Sequence, residues 1–286
     1  MDTTHLATLL AIVDHGTFEA AARTLHLTPS AVSQRIRALE SEVGQVVLRR
    51  SVPCRPTAAG EVLIRLARQH ELLLTEARVA IAGRGLVTLP LAVNADSLAT
   101  WLRPVLAEVA GWDAVSLRLH VEDQAYSADL LRSGDVLGAV TSDSTPVQGC
   151  RVSLLGTMRY RPAAAPGFAE RWRKGRGHDW EGMPVVTFND KDALQGIVLQ
   201  ERGASPSVVH RVPTSHDFLE AVRLGLGWGM VPEQQLDADL EQGRLALLSG
   251  GQHVDIPLHW MRWRLDSPLL DRVGLALSKA AAGLRR

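Results

Sequence analysis

Cysteine is scarce in this chain: Cys54 and Cys150 alone among 286 residues, too few and too far apart for a disulfide framework or a thiolate metal site. Free thiols are therefore expected. No apolar run approaches the ~20 residues that span a bilayer, and the start, MDTTHLATLL, lacks the basic stretch and apolar run of a secretion signal. These absences argue against a membrane partner and for a cytoplasmic protein. Net charge is absent too. Lys+Arg and Asp+Glu number 31 each, so a nucleic-acid partner must be argued from local clustering. HExxH, a P-loop and GxSxG do not occur. Ser215, His216 and Asp217 carry the atoms of a hydrolytic triad, but neighbours on one helical turn point in different directions and cannot form its relay. An enzyme is not expected, and no cofactor or metal is called for.

What is present is an ordinary globular composition, 46% hydrophobic and 22% charged, in a chain long enough for two or three domains. Leu6, Leu9, Leu10 and Val13 form one face of a first helix that Gly16 closes. After Thr17, Phe18, Ala21, Ala22 and Leu25 repeat the spacing in a short second helix. Thr28 then caps a third helix with Pro29 at its first position, where the missing N–H costs nothing. In that helix Val32, Ile36, Leu39 and Val43 make a buried stripe, while Ser30, Ser33, Gln34 and Arg37 make a second one. Three short helices with a tight turn before the last form a helix-turn-helix, and hydroxyls, an amide and a guanidinium suit base edges and phosphates in a major groove. A solvated polar face on a small bundle would fit any one of these residues. Arg35, Arg37, Arg49, Arg50 and Arg55 supply local positive charge, opposed nearby by Glu40 and Glu42, and Thr28 and Arg35 join Ser30, Ser33, Gln34 and Arg37 as expected DNA contacts.

From FEAAARTLHLTPSAVSQRIRALESEVG through VLRRSVPCRPTAAGEVL the chain resembles the N-terminal winged helix-turn-helix of LysR-type transcriptional regulators. The resemblance implies a wing from strands near 46–48 and 55–57, with Arg50 and Arg55 reaching phosphates or the flanking minor groove of double-stranded promoter DNA. From 58 to about 82 a long helix follows, in which Leu63, Leu66, His70, Leu73, Ala77 and Ala80 alternate spacings of three and four, the mark of a helix–helix seam. In the family this linker helix pairs with a second subunit, which implies a homodimer or homotetramer. Packing against its own chain is the alternative.

After a hinge at residues 83–85 the texture changes. Short apolar or alternating runs at 89–93, 115–121 and 137–140 are separated by helical stretches at 98–109 and 128–131, a rhythm that argues for a mostly parallel sheet. It recurs with strands at 184–188, 208–212 and 228–231, a helix at 218–224, a returning strand at 258–265 and a last helix at 269–282. Crossing segments near 161–165 and 262–266 would join two lobes around a ligand cleft. The expected fold is thus α+β and multidomain. A winged helix-turn-helix (1–57) and a linker/dimerisation helix with hinge (58–85) precede a two-lobed, periplasmic-binding-protein-like α/β effector domain (86–286). Its lobe I is 86–162 with 265–286, and its lobe II is 163–264. This half too is similar to the LysR-type effector domain, and GLGWGMVP at 225–232 matches that family's glycine-rich turn, not a dinucleotide fingerprint.

Ligands in such clefts sit beyond the carboxyl ends of strands and at helix N-termini. VNADSLATWLRP puts Asn94, Asp96, Ser97 and Thr100 there, with Ser97 and Thr100 suited to a ligand carboxylate. Asp96, Glu122 and Asp123 suit an ammonium or guanidinium, and Phe188, Asn189, Asp190, Ser215, His216 and Asp217 face them from the other lobe. Capping is the competing role for Asp and Ser at helix starts. VNADSLATW, VEDQ and LGAVTSD, the last contributing Thr141, resemble the ArgP/LysG subgroup of LysR-type regulators. That resemblance implies a transcriptional regulator, with RNA polymerase as a partner, that senses lysine, arginine or histidine and controls an amino-acid exporter or biosynthesis gene. A different small carboxylate effector, and a DNA-binding protein with no effector, stay open at this point.

Overall fold

The computed structural model describes every residue except Met1, Arg84, Glu122, Asp123 and Lys191, and only the backbone of residues 124–126. Helix α1 (Thr3–His15) is capped by the Asp2 carboxylate and ended by Gly16 in the left-handed region; α2 (Phe18–Thr24) is capped by Thr17. Helix α3 (Pro29–Val43) starts on the Thr28 hydroxyl, which accepts from the Ala31 N–H at 3.2 Å, and ends at Gly44. Leu9, Ile12, Val32, Ile36 and Leu39 are all within 1% of complete burial. At about 1.5–3 kcal/mol for each such side chain, this contact holds the three helices as one unit.

A two-residue antiparallel ribbon follows, β1 (Leu48–Arg49) against β2 (Arg55–Pro56), shorter than the strands expected at 46–48 and 55–57. Side chains account for the shortfall. Glu40 Oε1 takes the Val47 N–H at 3.0 Å and Thr57 Oγ1 donates to the Val46 carbonyl at 2.7 Å. Helix α4 (Ala58–Ala82) leaves this ribbon at Gly60, where a Cβ would lie 2.0 Å from the Val47 carbonyl oxygen, so only glycine permits the approach. Leu63, Ile64 and Ala67 of α4 pack into the N-terminal core, and Leu72 packs into the C-terminal one.

The C-terminal region begins with β3 (Val87–Val93). The single helix expected at 98–109 is two, α5 (Ala95–Ala99) and α6 (Arg103–Ala110), because Pro104 has no N–H for the carbonyl four residues back. Then come β4 (Val115–Val121), α7 (Gln124–Ser133), β5 (Gly138–Thr141) and the long β6 (Cys150–Ala164). A second lobe contains α8 (Pro166–Arg171), the ribbon β7 (Arg173–Lys174) and β8 (Gly177–His178), β9 (Val185–Thr187), α9 (Leu194–Arg202) and β10 (Val209–Arg211). It continues with α10 (Ser215–Arg223), β11 (Gly229–Pro232), α11 (Glu233–Glu241) and β12 (Ala246–Leu247). β13 (Val254–Trp263) returns to the first lobe, where α12 (Pro268–Ala280) closes the chain against α6.

The main sheet runs β11-β6-β13-β5-β3-β4. β3 is parallel to β4 and β5, but β13 is antiparallel to β5 and β6, and β11 to β6, so the sheet is mixed, not mostly parallel. The crossing segments differ from expectation as well. Residues 161–164 end β6 and 262–263 end β13, and these two strands pair along the whole length of β13, carrying the chain between lobes as a ribbon.

Candidate functional site

Two regions of the molecule collect the candidate residues. On α3, Ser30, Gln34 and Arg37 are exposed and Ser33 is half-buried, opposite the Val32, Ile36 and Leu39 face. Among the described residues, no hydrogen bond within the chain engages the side chains of Ser33, Gln34 or Arg37. Thr28 and Ser30 share a hydroxyl contact of 2.9 Å at the helix start. Arg35 differs from expectation. Its guanidinium turns inward and donates to Thr8 Oγ1 of α1 at 3.4 Å, so it ties α3 to α1 and does not lie on the polar stripe. Arg49 and Arg55 face each other across the wing ribbon, and Arg50 is exposed with its guanidinium 5.5 Å above the Phe18 ring. The N-terminal region therefore presents an exposed helix face of short polar groups flanked by three arginines.

Between the lobes lies a cavity of about 420 Å³, within the roughly 300–1,000 Å³ usual for small-molecule sites. Its wall has two textures. Phe188, Ile197, Phe218, Met230, Pro232 and Ile256 are apolar; Asp96, Asp143 and Asp192 are carboxylates. No lysine or arginine is among the described lining residues. Asp96 sits in the first turn of α5, placed there because the Asn94 side chain caps that helix by accepting from the Ser97 N–H at 3.1 Å. Its carboxylate joins the lobes: Oδ2 accepts from Tyr160 of β6 at 2.9 Å, and Oδ1 from Ser215 at the start of α10 at 2.8 Å. Burial raises the Asp96 carboxyl above its ordinary range, against the pull of those two hydroxyl donors, and burial with the neighbouring Asp96 charge raises the Tyr160 hydroxyl well above its own.

The expected cleft residues divide clearly. Asp96 and Phe188 line the cavity, and Ser215 borders it through Asp96. Ser97 is fully buried and accepts from Trp101 Nε1 at 3.0 Å, and Thr100 donates back to the Asp96 carbonyl, so both serve their own helix instead of a ligand carboxylate. Thr141 is buried and accepts from the Asp143 N–H at 3.1 Å, behind the wall that Ser142 and Asp143 form. Asn189 is half-buried and Asp190 pairs with Arg211 on the surface, both away from the cavity lining; Asp217 is an exposed cap residue bonded to Thr214. Glu122 and Asp123 lie outside the described residues. The carboxylates of Asp143 and Asp192 were missed. A signal existed, since Asp143 lies just past the carboxyl end of β5 and Asp192 precedes α9, where its oxygens take the Phe188 and Leu194 N–H groups.

This pairing of an exposed helix-turn-helix with a two-lobed ligand domain has a counterpart among known proteins. The family model described as "bacterial regulatory helix-turn-helix protein, lysR family" matches residues 3–61, and the one described as "LysR substrate binding domain" matches residues 84–276. The chain belongs to the LysR family of DNA-binding transcriptional regulators. Within it, the chain is 49% identical, over all of both chains, to the lysine export transcriptional regulatory protein LysG of Corynebacterium efficiens. Full-length LysG of Corynebacterium glutamicum with bound effector Arg is similar in structure, with a TM-score of 0.88 at 44% identity over all of both chains. ArgP from Mycobacterium tuberculosis superposes with a TM-score of 0.92 at 43% identity, covering 100% of this chain and 99% of that one.

Proposed function

We propose that the protein senses a basic amino acid, lysine, arginine or histidine, in the cleft between its lobes, and controls transcription of an amino-acid exporter or biosynthesis gene in response. The observation that carries this reading is the cavity wall, with three carboxylates, no cation among its described residues, and an apolar sheath. Carboxylates suit ammonium and guanidinium groups, and the sheath suits the aliphatic stem between them. The arginine-bound LysG relative supports the same ligand class. Asp96, Asp143 and Asp192 are the residues assigned to the cations.

In this reading residues 1–57 form the DNA-binding unit, 58–85 the linker and 86–286 the effector domain. Ser30, Ser33, Gln34 and Arg37 meet base edges and phosphates in a major groove, while Arg50 and Arg55 meet the flanking backbone. A homodimer or homotetramer forms through α4, whose Val62, Leu66, Leu73 and Ile81 remain exposed in the single chain, and two recognition helices then address two half-sites. RNA polymerase is engaged at the promoter, and the setting is the cytoplasm; no helix of the described residues is long and apolar enough to cross a membrane.

A thermal-shift screen of the twenty amino acids, followed by calorimetry, tests the effector. At a hundred times its dissociation constant the true effector adds roughly 2.7 kcal/mol of stability. Lysine, arginine or histidine should do so, and the uncharged analogues norleucine and citrulline should not. Equal binding of the uncharged analogues overturns the proposal.

A further inference from the structure

The linker helix α4 touches both halves of its own chain through one side chain. Arg68 Nη2 donates to Asp14 Oδ1 in the last turn of α1 at 2.6 Å and to Asp135 Oδ1, just past α7, at 3.2 Å. Asp135 is itself held by Ser133, whose hydroxyl donates to Oδ2 at 2.7 Å. The arginine side chain is 21% exposed and the two carboxylates 37% and 40%, and Arg68 Nε is buried with no partner among the described residues.

Around this bridge the helix is docked along the effector domain. Gly134, at φ +81°, lets the turn before Asp135 approach so closely that a Cβ would lie 3.1 Å from Arg65 Cα and 3.4 Å from the Trp263 ring. One turn beyond Arg68, Leu72 enters the effector-domain core. A further turn on, Glu76 Oε1 accepts from the Ser267 hydroxyl at 2.7 Å and the Leu269 N–H at 3.1 Å, joining the cap of α12. The helix is thus fixed to the first lobe at four successive positions, and the DNA-binding unit is fixed to the helix by its core and by Asp14.

We infer that Arg68 is a positioning residue that sets the orientation of the recognition helix relative to the first effector lobe. Charge pairs this exposed add little to stability. What the Nη2 group adds is geometry, because its two N–H bonds, in the plane of a rigid guanidinium, are satisfied one from each domain and so restrict the angle between them. A change in the lobes on effector binding then reaches α3 as a rotation of a docked unit, without being absorbed at a loose joint. This inference rests on the effector reading above.

Full-length wild type, Arg68→Lys, Arg68→Met and Asp135→Asn are compared on a duplex selected from a random pool by the wild-type chain, with and without lysine or arginine. The quantity read is the factor by which the amino acid changes the DNA dissociation constant, for which allosteric proteins give roughly 5–150-fold. Arg68→Met and Asp135→Asn should shrink that factor at least about threefold while binding of the amino acid to the DNA-free protein stays within about twofold. Arg68→Lys should recover part of it. An unchanged factor in Arg68→Met overturns the inference. A wild type that binds neither amino acid sinks the effector reading instead. Hydrogen exchange then decides the clamp: faster exchange in Arg68→Met at both residues 12–16 and residues 133–136 supports it, and unchanged exchange at either overturns it.

Discussion

The recognition helix and the effector cleft treat their polar side chains in opposite ways. On α3, Gln34 and Arg37 extend into solvent with no partner in the chain among the described residues. In the cleft every lining carboxylate among the described residues is already engaged: Asp96 by Tyr160 and Ser215, Asp143 by the Thr145 N–H, Asp192 by two backbone N–H groups. In the proposed function the exposed groups of α3 exchange water for phosphate and base contacts when DNA arrives. The cavity carboxylates, by contrast, are fixed by donors that leave further lone pairs, which in the proposed function meet the effector's cation.

That contrast breaks first at Asp96. Asp96→Ala leaves the Tyr160 and Ser215 hydroxyls without their acceptor, so chemical unfolding should show a loss of about 2 kcal/mol together with loss of amino-acid binding. Asp96→Asn keeps an acceptor and removes the charge. It should fold normally and bind lysine or arginine at least about tenfold more weakly by calorimetry, equivalent to about 1.4 kcal/mol. Arg37→Ala, by contrast, should leave the melting temperature unchanged while weakening DNA binding, with the salt dependence of log K shallower by about one phosphate contact. If Gln34 reads a base edge, Gln34→Ala relaxes preference at one operator position by about 1–3 kcal/mol, and an unchanged preference removes it from the reading set.

Smaller effects sharpen the same comparison. Burial raises the Asp96 carboxyl above its ordinary 3.8, so the folded chain favours the protonated form more than the unfolded chain does. The stability tied to that shift is fully present below the ordinary value and lost as pH rises through the raised one. Effector binding runs the other way, because a cation pairs with the ionised carboxylate: affinity falls as pH drops through the raised value. Asp96→Asn should remove the Asp96 contribution to both slopes, leaving pH titrations of stability and of binding measurably shallower than in the wild type. Smallest of all, Asp190→Ala should leave amino-acid affinity unchanged, since Asp190 pairs with Arg211 on the surface. A measurable loss there would extend the site beyond the cavity.

Legibility in the sequence followed the range of the interactions. The first three helices and their caps could be read because each depends on spacings of three and four residues and on Thr17, Thr28 or Gly16 next to the helix it bounds. β6 escaped notice because it is covered by a strand on each side and reads CRVSLLGTMRYRPAA, with arginines and a glycine breaking any clean alternation. Tyr160 escaped with it. Its bond to Asp96 joins residues 64 apart, and the Ser215 bond joins residues 119 apart, distances over which no local pattern carries information. The hydroxyls of α5 and its C-cap misled for a related reason. Ser97 and Thr100 have the right chemistry, but Trp101 Nε1 and the Asp96 carbonyl compete for them within one turn.

The β6 and β13 ribbon sets the kind of motion open to the cleft. Ten residues of β13 pair with β6 from Val254 to Trp263, with one irregularity between Leu258 and His259. Lobes strung on a hydrogen-bonded ladder cannot swing freely as they would on two slack tethers. Such a ladder favours twisting of the ribbon over swinging of the lobes, and the register shift between Leu258 and His259 is where the ladder is locally disrupted. A paired ribbon resists large angular changes more steeply than small ones, so in the proposed function an effector bridging the lobes would act through a small twist of this ribbon.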